Sequence, residues 1–237
     1  MVLTGHSQFE TQDDLGVGDG ISSISEWHLI QPLSGSVDIE GFILDGPVAN
    51  IFYRLRSLSH TAQQLPLSIT KVHDLTCFVV HRLLPVNSDL SCSTSTGVMR
   101  YALILYMLII HGTTYYPHTF VLNQALAQFV EFYEQIELVS QTQCALKVWL
   151  LTIGMVASIG TSHYSRLAEK ARTTAASMQM RTWEEIFRHV KSILWIDTSP
   201  GEPGFRSHWD AIFNTLDLTA LSGNQLNHLL NSTIAGY

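Results

Sequence analysis

Few residues in this 237-residue chain have the type and spacing to do chemistry. His111 and His118 flank the turn Gly-Thr-Thr-Tyr-Tyr-Pro, and two imidazoles so placed are half of a metal site. A tetrahedral centre needs a third and a fourth ligand. The neighbouring sequence offers none, so both are read as helix-end histidines, where a cation meets the negative end of the helix dipole. Cys144 and His163 have the residue types of a nucleophile and its base. They fall on neighbouring helices with no oxyanion-hole pattern nearby, and a small cysteine on an apolar helix is ordinarily a packing residue. Asp13-Asp14 lacks the helical carboxylate partner that a metal-dependent lyase would need. Arg100, at the head of an apolar helix, is expected to snorkel or to pair with an acid. Cys77, Cys92 and Cys144 form no CxxC pair and cannot build a zinc site among themselves. Such a sparse, odd set suits a reducing compartment. Trp149, Trp183, Trp195 and Trp209 are expected to be core or interface anchors whose indole N–H needs a partner, with lining a ligand pocket as the other role open to them. No catalytic, cofactor-binding or metal-ligating residue is assigned, and no enzymatic activity is expected.

The elements that must position these residues are helices. Pro47 suits the first turn of a helix reaching about Gln64, and Pro66 breaks it. Further helices are predicted over about Ile69–Leu84, Ser95–His111, Thr119–Ser140, Gln141–Ser158, Ser162–Ser177, Thr182–Asp197 and Arg206–Leu216, with a weakly amphipathic segment at about Ser222–Asn231. Residues 87–96 read as a loop or cap region. The helices containing Tyr101–Ile110 and Val148–Gly160 are apolar on nearly every side, which argues central burial. Both apolar runs fall short of the about 20 residues that span a bilayer. The clearest signal lies at residues 182–197. Thr182 and Glu185 have capping-box spacing, and Trp183, Ile186, Phe187, Val190, Ile193 and Leu194 paint one helical face. In this Thr182–Asp197 helix, Trp183 and Trp195 are expected to stand about 120° apart around the axis and about 18 Å apart along it, bordering one face without touching. No strand-period alternation competes with the helical pattern, and no internal repeat is present.

Composition sets the outer bounds. The chain is 46% hydrophobic and only 14% charged, enough apolar matter for one large core. Its net charge of −7 is uneven, because residues 1–45 hold eight acids and no Lys or Arg, whereas the rest holds twelve acids and thirteen bases. With glycines among Ser and Asp, residues 1–45 read as a flexible, irregular acidic tail with a short helical turn around Ser25–Ile30. The mixture of Trp27, Leu29, Ile30 and Phe42 with acids has the composition of an activation-type segment, although a solvated tail is the simpler expectation. No basic n-region precedes an apolar run, so no secretory signal is expected. No basic block supplies an electrostatic footprint for nucleic acid. The fold expected is all-α, a single multi-helix domain of about eight or nine helices over residues 46–237.

Three blocks in order resemble a known family. Trp183-Glu184-Glu185, Val190–Asp197 and Trp209 resemble the C-terminal signature of fungal-specific transcription factor domains, the helical regulatory regions of binuclear zinc-cluster transcription factors. Trp149–Ala157 and Met99–Tyr106 resemble two upstream helices of that family, so the resemblance spans about residues 47–213. It implies an all-helical regulator of transcription in the nucleus, or in the cytoplasm when no DNA-binding module is attached. It implies protein partners, either the transcription machinery or a DNA-binding subunit, with homo-oligomerisation also open, and neither cofactor nor membrane. The six-cysteine DNA-reading module of the family is absent from this chain. The resemblance therefore fits a truncated gene model, a member that lost its zinc cluster, or a free-standing regulator acting through partners. Its signature positions carry packing, not catalysis. The alternative is a helical small-molecule-binding protein or an enzyme of unassigned reaction, and a membrane-associated helical protein is a third class. With bases scattered and zinc ligands lacking, the purified chain is expected not to bind duplex DNA specifically at physiological salt. A sequence-specific mobility shift at sub-micromolar protein would overturn that expectation.

Overall fold

The computed structural model describes residues 23–31, 35–39, 41–44, 46–62, 67–84, 93–112, 119–136, 144–198 and 201–215. The described chain starts with a single turn, α1 (Ser25–His28), and a short antiparallel hairpin of β1 (Val37–Ile39) and β2 (Phe42–Leu44). Seven longer helices follow: α2 (Gly46–Ala62), α3 (Ile69–Leu83), α4 (Thr94–His111), α5 (Thr119–Gln135), α6 (Cys144–Ala157), α7 (His163–Ser177) and α8 (Trp183–Ile193). A last helix, α9, covers residues 201–215. The fold is all-α apart from the hairpin.

The two most apolar helices form the centre. α4 packs against α2, α3, α5 and α6, and α6 in turn against α5, α7 and α8. By length and composition α4 could cross a bilayer, but 72% of its apolar window is buried within the fold. Close approach here depends on two glycines. A methyl group at Gly97 of α4 would stand 2.6 Å from the Phe132 ring of α5. One at Gly154 of α6 would stand 2.7 Å from the Phe129 ring and 3.3 Å from Leu167 of α7. At these positions the helices touch backbone to ring.

Three expectations are corrected. The first concerns the tail. Residues 1–22, Asp13-Asp14 among them, lie outside the described residues, but Ile24, Trp27, Ile39, Phe42 and Leu44 belong to the core. Trp27 is 1% exposed, and Ile39, Phe42 and Leu44 are buried with it. Arg54 of α2 fastens this segment. Its buried guanidinium donates to the carbonyls of Trp27 (3.1 Å) and Ile30 (2.6 Å) and lies 4.8 Å from the centre of the Trp27 indole. Trp27 meets Phe78 of α3 edge-on, and Glu26 pairs with Lys71. Of the apolar residues that gave this stretch an activation-type composition, Trp27 and Phe42 are thus anchors and Ile30 packs against the core, whereas Leu29 is 84% exposed. The second correction is the hairpin itself. Each strand has three residues, too few for alternation to rise above chance, yet Phe42 and Leu44 point inward while Ile43 is 54% exposed.

The third correction concerns the organising helix. α8 begins as expected: the Thr182 hydroxyl accepts from the Glu185 amide (3.3 Å), and the Glu185 carboxylate accepts from the Thr182 amide (3.1 Å) and the Arg181 amide (2.7 Å). Those backbone donors, Arg181 first, hold the Glu185 carboxyl below its ordinary pKa. The helix does not run to Asp197. It ends at Ile193, and Leu194 takes extended dihedrals of φ −162° and ψ 125°. Other boundaries shift by a few residues: α5 ends at Gln135, and α9 already covers residue 201, with Pro203 in its first turn. The segment Ser222–Asn231 and most of the loop at 87–96 lie outside the described residues.

Replacing Arg54 by Met would keep much of the apolar stem while leaving two carbonyls without their charged donor. Urea melts of Arg54→Met should lose about 2–4 kcal/mol, with amide exchange accelerated first over residues 24–44. Unchanged exchange there would show that Arg54 does not fasten the segment.

Candidate functional site

The tryptophans named by the sequence meet around the extended segment Leu194-Trp195-Ile196, all three residues of which are buried. Trp149 of α6 donates its indole N–H to the Leu194 carbonyl (2.9 Å). The Ile196 amide donates to the Tyr106 hydroxyl of α4 (2.6 Å), and the Tyr106 and Trp149 rings lie 5.8 Å apart. Two aromatic side chains thus take the place of helical hydrogen-bond partners, which is why the helix can stop while its chain stays buried. Burial pushes the Tyr106 phenol above its ordinary pKa, so it is neutral and still carries its own proton at physiological pH.

The expected separation of Trp183 from Trp195 does not hold. The extended turn brings Trp195 back over Phe187, edge-on at 4.9 Å, while Trp183 stacks on the same Phe187 at 5.1 Å. Phe205 of α9 continues the row, 5.2 Å from Trp195. The indole N–H groups of this centre all have partners: Trp183 donates to Glu202 Oε1 (2.9 Å), Trp195 to Asp197 Oδ1 (2.6 Å) and Trp209 to Thr152 Oγ1 of α6 (3.1 Å). The row is a packing centre that joins α4, α6, α8 and α9.

The other candidates separate. His118, Cys92 and Asp13-Asp14 lie outside the described residues. Cys144 opens α6 and His163 opens α7, and the chain runs the length of α6, about 20 Å, between them. The helices pack along each other, so thiol and imidazole stand at opposite ends of the pair. Arg100 is half-buried on α4, and its Nε has no hydrogen-bond partner among the described residues.

His111 finds an unexpected neighbour. It closes α4, and its Nε2 lies 2.8 Å from Nδ1 of His73 on α3. His111 Nδ1 faces the Gly112 carbonyl (2.9 Å), which can only accept, so the proton sits on that nitrogen. For neutral rings, His73 then donates from Nδ1 to His111 Nε2, and its Nε2 faces the Cys77 thiol at 3.8 Å. The relay ties the end of α4 to α3. Nothing in the local spacing around residue 111 announced it, because the partner is 38 residues away. No group of three or more His, Cys, Asp or Glu among the described residues is placed to hold a metal ion.

A cleft of about 320 Å³ opens between the end of α5, the first turn of α6 and the outer face of α7. Tyr133, Lys147, Glu169, Lys170, Thr173 and Ser177 are among its lining residues, and none of the tryptophans is. Tyr133 is only 5% exposed. Burial alone raises its phenol above the ordinary pKa, and its hydroxyl has no hydrogen-bond partner among the described residues. Periodicity missed this cleft because Tyr133 reads as one more inward residue of α5.

Comparison with protein-family models, with curated proteins and with solved structures finds no match to this chain.

The packing centre makes a direct prediction. Trp183→Ala and Trp195→Ala should each lose about 3–5 kcal/mol in urea melts. Trp149→Phe, which keeps a ring but leaves the Leu194 carbonyl unpaired, should lose about 1–3 kcal/mol. Losses below about 0.5 kcal/mol, the size of neutral surface changes, would remove the packing role.

Proposed function

We propose that the chain is a non-catalytic helical regulator of transcription, of the kind found in fungal zinc-cluster factors, and that it acts in the nucleus through protein partners. The observation that supports this reading is the convergence of the three resembling blocks. Met99–Tyr106 lies in α4, Trp149–Ala157 in α6, and the signature from Trp183 to Trp209 in α8, the extended segment and α9. Side chains of all three meet directly: Tyr106 with Ile196, Trp149 with Leu194, and Trp209 with Thr152. The residues that carry the resemblance are therefore those that define one packing unit, as expected of a pattern that marks a fold. The near-neutral charge of residues 46–237 suits protein contacts better than phosphate contacts, so this region is read as acting through protein partners.

Tethering tests the reading. The full chain fused to a heterologous DNA-binding domain should change expression of a reporter carrying the cognate site at least several-fold, up or down, relative to the DNA-binding domain alone. The same fusion carrying Trp195→Ala should lose that effect. Reporter output equal to that of the DNA-binding domain alone, with the fusion present in the nucleus at equal level, would overturn the proposal.

A further inference from the structure

We infer that the cleft between α5, α6 and α7 is a binding site for a small organic carboxylate, held by the Tyr133 hydroxyl and the ammonium groups of Lys147 and Lys170. The inference stands apart from the transcriptional reading and does not use it.

The argument is an inventory of donors and charges. Glu134 and Glu169 both line the cleft, but each carboxylate is engaged by an arginine. Glu134 pairs with Arg166 at 2.5 Å, and Glu169 accepts from Arg172 Nε at 3.0 Å and from its terminal nitrogen at 2.7 Å. That bidentate bond holds the Glu169 carboxyl below its ordinary pKa. The lysines are differently placed. Lys170 lies 5.1 Å from the centre of the Tyr133 ring, a contact that leaves its N–H donors available. Lys147 makes no ion pair among the described residues. Among the described residues, the cleft thus presents two cations without an ion pair, while its anions are bound to other groups.

The hydroxyls sharpen the chemistry. Thr173 donates to the Glu169 carbonyl (2.9 Å), Thr174 to the Lys170 carbonyl (2.8 Å) and Ser177 to the Thr174 carbonyl (2.9 Å), so their oxygens can only accept. Tyr133 is the reverse case, a protonated hydroxyl on the cleft wall with no acceptor among the described residues and so a donor open to a ligand. Two cations and one neutral donor suit the two oxygens of a carboxylate. Three accepting hydroxyls suit a ligand that also carries a hydroxyl or amine, and the side chain of Ile136 gives its carbon skeleton an apolar wall. A volume of about 320 Å³ is at the small end of ligand pockets, which fits a single-ring acid.

The test titrates the full-length chain with acetate, benzoate and 4-hydroxybenzoate, and with benzamide as the uncharged control, following amide and lysine resonances by NMR. The expected result is saturable one-to-one binding centred on Tyr133, Lys147 and Lys170, with 4-hydroxybenzoate the tightest and benzamide at least tenfold weaker than benzoate. Tyr133→Phe keeps the ring and Lys147→Gln changes a half-buried side chain, so both variants should fold. Each should weaken 4-hydroxybenzoate about tenfold or more, the size of one lost hydrogen bond to a charged group. If none of the carboxylates saturates, if benzamide binds as well as benzoate, or if both variants bind like the parent chain, the inference is wrong. None of these outcomes bears on reporter expression, so the transcriptional proposal can fail or stand independently.

Discussion

The structure depends on a short run of backbone that is neither helical nor exposed. Leu194-Trp195-Ile196 crosses the interior in extended form, and an unpaired peptide group buried there would cost about as much as a lost hydrogen bond. Trp149 and Tyr106 remove that cost at Leu194 and Ile196. The arrangement fixes more than the segment. It sets where α8 stops, turns Trp195 back toward Phe187, and binds α4 to α6 through partners that neither helix could supply alone. The aromatic row and the docking of α9 follow from that geometry.

A second fastening works at the other end of the described chain. Arg54 is charged, buried and held by carbonyls, with the Trp27 ring over its plane. Arginine suits this position because its planar fork spreads one charge over several donors and is weakly hydrated, which lowers the cost of taking it out of water. Lysine would bring a compact, strongly hydrated charge to the same place. Through Arg54, a segment with an acidic and glycine-rich composition becomes a cover for α2 and α3.

The sequence revealed the elements whose signal is local. The capping box at Thr182 and Glu185, the stop at Gly112, and the uniformly apolar α4 and α6 all depend on residues within a turn or two of each other, and the helices lie where those signals place them. What it hid depends on distant partners. The end of α8 at Ile193 is decided by Trp149 and Tyr106, and apolar periodicity alone carried the helix too far. The hairpin is too short for alternation to register, and residues 24–44 were read by composition when Arg54 and Phe78 decide their fate. The same limit holds for the sites. The tryptophan anchors were legible because large aromatics are seldom left in water. The meeting of Tyr133, Lys147 and Lys170 on three separate helices was not, and neither was the pairing of His73 with His111.

The bond between Tyr106 and Ile196 spans 90 residues of chain. Synthesis runs from the N-terminus at about 5–20 residues per second, so roughly 5–20 s pass between the emergence of α4 and that of the segment that completes its surroundings. Helix formation takes about a microsecond or less, so α4 and later α6 exist as greasy rods long before their last cover has been made. Gly97 and Gly154 allow early closure against α5, but the side of α6 that receives Leu194 stays open until the ribosome has passed the aromatic row. The nascent protein therefore carries its most adhesive surface while some 90 of its 237 residues are being made, an interval in which that surface needs shielding.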